Sequence, residues 1–204
     1  MRHGEVDNPG GVLYGRLPGF GLSELGKQMA SSAAAALADR PVVRLVASPL
    51  QRTRESAAPI AELFGLEIAT DDRIIEPTNR FEGTRFDFGA SLLTKPSAWP
   101  WVVNPLRPSW GEPYVSIAGR MLAAITDAFA SVDEGDVVLV SHQLPIWMVH
   151  RSLAGEKLYH DPRRRRCSLS SITTLERRGT RFVETGYADP AAAIPRTAAD
   201  RGAV

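Results

Sequence analysis

Two apolar runs that break directly into helix starts limit what this chain can fold into. Val42–Ala47 is followed at once by Ser48 and Pro49, and Val137–Val140 by Ser141, His142 and, shortly after, Pro145. An uninterrupted apolar run is what a strand covered on both faces looks like. Serine followed by proline is a helix-start signal. Strands that alternate with helices in this way belong to a parallel sheet with helices on both faces. The remaining segments agree. A helix is expected from about Ser23, with Leu25, Met29, Ala33 and Leu37 along one face. Ser48-Pro49 should open a second, and a short strand should cover Glu67 to Ala69. A third helix is expected over Tyr114 to Ser131, a fourth from Pro145, and strands over Leu169 to Leu175 and Arg181 to Tyr187, with a turn at Gly179. The fold class is α/β, a three-layer α/β/α sandwich with a mostly parallel sheet.

At 204 residues the chain suits one domain. Residues 1–187 are assigned to it and 188–204, rich in alanine and proline, to a flexible tail. Between Pro77 and Pro113 lie six of the 15 prolines and three of the four tryptophans, Trp99, Trp101 and Trp110. A stretch of that texture, 77–113, is expected to form a small cap or loop insertion. The tryptophans are read as packing residues there.

The formal net charge of +1 gives no field that would gather nucleic acid or a membrane surface. The basic run Arg163–Arg166 is too short to change that. It either binds a second anionic group of a substrate or forms a solvated turn, the reading slightly preferred here. The single cysteine, Cys167, leaves no intrachain disulfide and fits a reducing compartment. With no apolar run long enough to span a bilayer and no secretory signal ahead of the first motif, the protein is expected in the cytoplasm. A homodimer through an edge strand or a cap face is left open.

In a parallel sheet, ligands bind beyond the carboxyl ends of the strands. Three motifs fall at such ends: Arg2-His3-Gly4-Glu5, Ser48-Pro49-Leu50-Gln51-Arg52, and Ser141-His142-Gln143-Leu144-Pro145. Arg52 sits in a first helical turn, so its side chain leans back over the strand end. His142 precedes a helix whose free N–H groups favour an anion. Two arginines, two histidines and helix N-termini suit a phosphate dianion. Phosphoryl transfer needs an in-line nucleophile, charge neutralisation and a proton for the leaving group. A neutral imidazole can attack phosphorus, arginines can clamp oxygens bidentately, and a carboxylic acid of raised pKa can supply the proton. Glu76 is the candidate acid, with Glu82 second and Asp87 nearby. No metal-ligand spacing is present, so no metal or other cofactor is expected. His150 and His160 are read as structural or surface residues, Cys167 as inert, and Glu5 either as orienting an arginine or as solvated.

Taken in order, these segments resemble the histidine phosphatase (phosphoglycerate mutase-like) superfamily. Arg2-His3-Gly4-Glu5 is similar to its RHG(E/Q) signature, and Ser48-Pro49 through Arg52 and Glu55-Ser56 to its second motif. Ser141-His142 resembles its (S/T)-H pair, with Gln143 where glycine is more usual. Phe81-Glu82-Gly83, Gly111-Glu112 with Arg120, and Leu22 to Gly26 resemble further elements, so the likeness runs over residues 2–187. The resemblance implies that His3 becomes phosphohistidine and that Glu76 acts as acid and then base. It implies a phosphate pocket of Arg2, Arg52 and His142, with Asn8 and the backbone N–H of Gln143 as further contacts. The leading expectation is a metal-independent phosphomonoesterase of a small phosphorylated metabolite. A phosphoglycerate mutase-type transferase is the alternative, followed by a catalytically inactive binding or regulatory homologue; a metal hydrolase ranks last. The family carries an apolar strand ahead of RHG, which is absent before Arg2. The expectation is that the active protein begins further upstream.

Overall fold

The computed structural model describes residues 1–85 and 111–195. Trp99, Trp101, Trp110 and Asp87 therefore lie outside the described residues, as does most of the expected cap. The order of elements is α1 (Glu24–Ala35), β1 (Val42–Ala47), α2 (Gln51–Phe64), β2 (Ile68–Thr70), a 3-10 turn (Asp72–Ile74), α3 (Tyr114–Ala130), β3 (Asp136–Val140), α4 (Gln143–Leu153), a 3-10 turn (Pro162–Arg164), β4 (Ile172–Arg178) and β5 (Arg181–Ala188).

β1 pairs in parallel with β2 on one side and β3 on the other. Side chains alternate across the sheet, as the two-residue strand period requires. Leu45, Ala47 and Val140 face a core with Ala33, Leu37, Ala57 and Ile60 of α1 and α2. Val46 faces the other core, with Ile117 and Met121 of α3 and Leu144 and Met148 of α4. These two cores make the three layers, and β4 and β5 add an antiparallel hairpin.

Residues 1–3 join the two sheets. Arg2 bridges Ser141 in parallel register. Ser141 N donates to the Met1 carbonyl (2.9 Å) and His3 N to the Ser141 carbonyl (3.1 Å), while Arg2 N donates to the carbonyl of Ser171, just before β4 (3.0 Å). The Met1 ammonium donates to the Leu139 carbonyl at 2.7 Å. It is wholly buried, and burial lowers its pKa from 8.0 to about 6. Behind Met1, between β3 and β4, lies a cavity of about 530 Å³ lined by Leu139, Ile172, Leu175, Met121 and Phe129.

Several boundaries shift for physical reasons. α2 begins at Gln51 with Leu50 in the capping position, not at Ser48, because the Ser48 hydroxyl is engaged with His142. The strand expected from Leu169 starts at Ile172. Ser170 takes a positive φ of 55°, and its N–H turns back to the His3 carbonyl. The start of the expected tail is docked: Ala191 is buried with Met29 and Leu169. Ser23 does cap α1, accepting from Gly26 N. No helix among the described residues is long and apolar enough to cross a membrane.

Candidate active site

His3 follows directly from the stitched strand. Its backbone is held on both sides, by Ser141 and by Ser170. The ring Nδ1 lies 2.7 Å from the Gly4 carbonyl. A carbonyl can only accept, so Nδ1 carries the hydrogen and Nε2 keeps its lone pair. Gly4 is required by crowding: a Cβ there would lie 2.4 Å from the Gly26 carbonyl oxygen, and one on Gly26 would lie 2.0 Å from that of Glu5. These two glycines let the His3 loop rest on the start of α1. The Gly4 N–H donates to Ser56 Oγ of α2.

His142 is fully buried at the head of α4. Its ring and that of His3 meet edge to face at 5.2 Å. Nε2 lies 2.7 Å from Ser48 Oγ, and Thr53 and Ser48 are themselves linked through their hydroxyls. Burial, then the charges of Arg52, His3 and Arg2, hold the His142 pKa well below the ordinary imidazole value. Burial thus favours the neutral ring.

Arg52 projects from the first turn of α2 as expected. It is 1% exposed, donates to the Gly15 carbonyl at 2.7 Å and lies 4.8 Å from the Tyr14 ring centre. Its Nε has no hydrogen-bond partner among the described residues. Arg2 is equally buried and donates to the Cys167 carbonyl at 2.6 Å. Burying two guanidinium groups this deeply is costly unless an anion accompanies them.

Glu76 is 1% exposed, and neither carboxyl oxygen has a hydrogen-bond partner among the described residues. One oxygen stands 3.4 Å from His142 Nδ1. Burial raises its pKa from 4.5 to about 6, against the pull of Arg52, Arg165 and Arg2. A buried carboxyl of raised pKa beside two buried arginines is suited to hold and release a proton. Its backbone is anchored by Arg16 Nε, which donates to the Glu76 carbonyl. Arg16 also approaches Glu112, which accepts two 2.9 Å hydrogen bonds from Arg120. Glu82, the second candidate acid, instead accepts from Asn79 N.

The structure thus brings Arg2, His3, Arg52, Glu76 and His142 together. Gln143 stands beside them as the first residue of α4, its side chain accepting from Arg165 at 3.3 Å. The Asn8 amide is used elsewhere, donating to the Val12 carbonyl and accepting from its N–H, so it braces the loop around Gly10 and Gly11. Glu5 accepts from the Ser23 hydroxyl. Sequence reasoning assigned no role to Thr53 or Arg16, read Ser48 as a helix cap and His160 as structural or surface, and left the run containing Arg165 as either a binder of a second anionic group of the substrate or, slightly preferred, a solvated turn. Ser48 and Thr53 carried a signal, since both lie in the segment around Arg52, and Arg165 carried one in its basic run; Arg16 carried none.

The model of the histidine phosphatase superfamily (branch 1) matches residues 1–190. This chain belongs to that superfamily. An uncharacterized protein, Rv0525, of Mycobacterium tuberculosis (strain ATCC 25618 / H37Rv) is 51% identical over 192 residues, spanning 94% of this chain and 95% of the relative. Glucosyl-3-phosphoglycerate phosphatase of the same organism is 32% identical over 157 residues, 70% of this chain and 68% of that one. The solved structure of mycobacterial glucosyl-3-phosphoglycerate phosphatase complexed with VO3 superposes with a TM-score of 0.74 at 27% identity, covering 90% of this chain and 94% of that chain. The relatives support a phosphatase of this superfamily.

Proposed function

We propose that the protein is a metal-independent phosphomonoesterase that works through a phosphohistidine on His3, acting on a small phosphorylated substrate. The observation that carries this reading is the fixed tautomer of His3. With Nδ1–H donating to Gly4, the nucleophile is the Nε2 lone pair, in a pocket containing two buried arginines. The named ligand of the superposed phosphatase, VO3, is an oxyanion and matches the charge of such a pocket.

The chemistry then runs in two displacements. His3 Nε2 attacks phosphorus, forming a P–N bond as the ester P–O bond breaks in line. The non-bridging oxygens carry the negative charge, and Arg2 and Arg52 neutralise it throughout. If the Ser48 hydroxyl donates to His142 Nε2, the His142 Nδ1–H is a further donor toward the same oxygens. Protonated Glu76 gives its proton to the departing alcohol oxygen. In the second step Glu76 takes a proton from water as the water oxygen attacks phosphorus. The P–N bond breaks, and inorganic phosphate leaves with Glu76 protonated again. Histidine and arginine supply the nucleophile and the charge, so the scheme calls for no metal ion.

Hydrolysis of an aryl phosphate in the presence of a chelator, by the protein and by His3→Ala, tests the reading. Chelator-resistant turnover that disappears in the variant is the expected result. Turnover that survives in His3→Ala, or that the chelator abolishes, contradicts it.

A further inference from the structure

The backbone that carries Glu76 is held more firmly than its side chain. The carboxyl oxygens have no hydrogen-bond partner among the described residues, whereas the carbonyls leading up to them are anchored one after another. Arg120 Nη1 of α3 donates to the Arg73 carbonyl at 2.6 Å. Ser141 Oγ, at the end of β3, donates to the Ile74 carbonyl at 2.6 Å. Arg16 Nε, from the loop ahead of α1, donates to the carbonyl of Glu76 itself at 2.5 Å. Donors from three separate parts of the chain thus fix residues 73–76, and the one that reaches the acid-bearing residue is Arg16. The Arg16 side chain is 33% exposed, so replacing it leaves the core intact.

Arg16 is braced in turn. Its Nη2 stands 3.8 Å from Glu112 Oε2. Glu112 accepts a two-pronged pair of 2.9 Å hydrogen bonds from Arg120 Nε and Nη2, the fork that a guanidinium offers a carboxylate. Burial would raise the Glu112 pKa, but the hydrogen bonds from Arg120 hold it below the ordinary value, so the carboxylate facing Arg16 is charged at neutral pH. The start of the Glu112 segment lies close against that of the acid. Gly111 bridges Asn79 in antiparallel register, and a Cβ on Gly111 would lie 2.5 Å from the Thr78 carbonyl oxygen. On the other side, the carbonyl of Gly15 accepts from Arg52 Nη2 at 2.7 Å. Gly15 and Arg16 therefore tie Arg52 and Glu76 to one short piece of chain.

We propose that Arg16, braced by Glu112 and Arg120, is a positioning residue that sets the reach of the Glu76 carboxyl to the leaving oxygen. This rests on the phosphomonoesterase reading, with Glu76 as the acid. Arg16 acts through the Glu76 backbone and not on the reacting atoms. A proton passes efficiently only over hydrogen-bond distance, and a displacement of about 1 Å costs on the order of 10²-fold. A leaving group that needs the proton should therefore feel the loss of Arg16, and one that departs readily as an anion should not.

The test compares phenyl phosphate with 4-nitrophenyl phosphate, which share a ring and differ in how much the departing oxygen needs a proton. In both cases kcat/KM reports the step that breaks the P–O bond. In Arg16→Met, which keeps the aliphatic stem and removes the donor, phenyl phosphate should lose about 10- to 100-fold more than 4-nitrophenyl phosphate. Arg16→Lys, which can still donate one hydrogen bond, should recover part of that difference. Glu112→Gln should show the same bias more weakly. In a Glu76→Gln background Arg16→Met should add no bias, because the acid it positions is gone. Circular dichroism shows whether each variant is folded; where Arg16→Met is not, Arg16→Lys and Glu112→Gln carry the comparison. Equal losses on both substrates, or a bias that persists in the Glu76→Gln background, overturns the proposal and leaves Arg16 as a brace for the fold. If the wild-type protein hydrolyses neither aryl phosphate, the phosphatase reading itself falls, and this proposal with it. Turnover of both without a leaving-group bias in any Arg16 or Glu112 variant overturns this proposal alone.

Discussion

Replacing Glu76 by glutamine should make the protein more stable as pH rises while removing most of its activity. The Glu76 carboxyl is buried, without a hydrogen-bond partner among the described residues, and its pKa is raised from 4.5 to about 6. A folded-state pKa above the unfolded one means that the native protein holds the proton more tightly. The stabilisation this gives is present in full below about pH 4.5. It is lost as pH rises through about 6, where the native carboxyl must ionise in its buried site. At 1.36 kcal/mol per pH unit, the interval from 4.5 to about 6 corresponds to about 2 kcal/mol. Glutamine has nearly the same shape and never ionises. Any fixed cost of its amide is the same at every pH. The stability of Glu76→Gln relative to wild type should therefore rise by about 2 kcal/mol between pH 4.5 and pH 7.5. For a domain of this size that is a relative gain of about 4–8 °C in melting temperature. Urea unfolding at a series of pH values measures it. The same variant should lose about 10²- to 10⁴-fold in the hydrolysis of an alkyl phosphate, whose leaving group needs a proton. A stability difference that stays flat across this pH range would refute the reasoning, because Glu76 would then titrate normally in the folded protein.

Three further outcomes are expected. Ser48→Ala leaves buried His142 Nε2 without its 2.7 Å partner and should cost about 1–3 kcal/mol of stability by urea unfolding; a change below about 0.5 kcal/mol would show that the hydroxyl is replaceable. Gly4→Ala puts a methyl 2.4 Å from the Gly26 carbonyl oxygen and should destabilise by about 1–3 kcal/mol while displacing His3, so thermal melting and aryl phosphate turnover should both fall; unchanged melting would contradict the close approach. Joining five residues of alternating valine and threonine to Met1 should add pairing along β3 and β4 and fill the cavity of about 530 Å³. At about 1.5–3 kcal/mol per buried valine, melting should rise by at least about 6 °C relative to a glycine-serine extension of the same length, and equal melting of the two would sink that reading.

What the sequence made legible follows from how far each signal reaches. Val42–Ala47 and the helix after it are local, and their boundaries emerged within a few residues. That Arg2, His3, Arg52 and His142 come together was also legible, because each sits in a short motif at a strand end. Glu76 stood out less, with Glu82 and Asp87 as rivals. Burial separates Glu76 from Glu82, and burial is a property of the packed chain. Ser48 looked like a helix cap because a cap is local, whereas its partner His142 lies 94 positions away. Arg165 could not be told from its neighbours for a similar reason. In sequence it is one of four consecutive arginines, and only the fold turns it toward Gln143 and His160. Asn8 shows the converse, since its type and place suggested the phosphate pocket while its amide holds the Val12 backbone. That Met1 to His3 would stitch β3 to the segment before β4 was not legible, because the partners lie far along the chain.

The central claim is that the phosphoryl group passes through His3. Incubating the protein with a phosphomonoester substrate, quenching in base to preserve the acid-labile P–N bond, and mapping the modified peptide by mass spectrometry tests it directly. The account predicts phosphate on the peptide containing His3, transient in the wild-type protein, accumulating in Glu76→Gln with an aryl substrate, and absent in His3→Ala. Turnover with no phosphorylated peptide, or with phosphate on any residue other than His3, would contradict it.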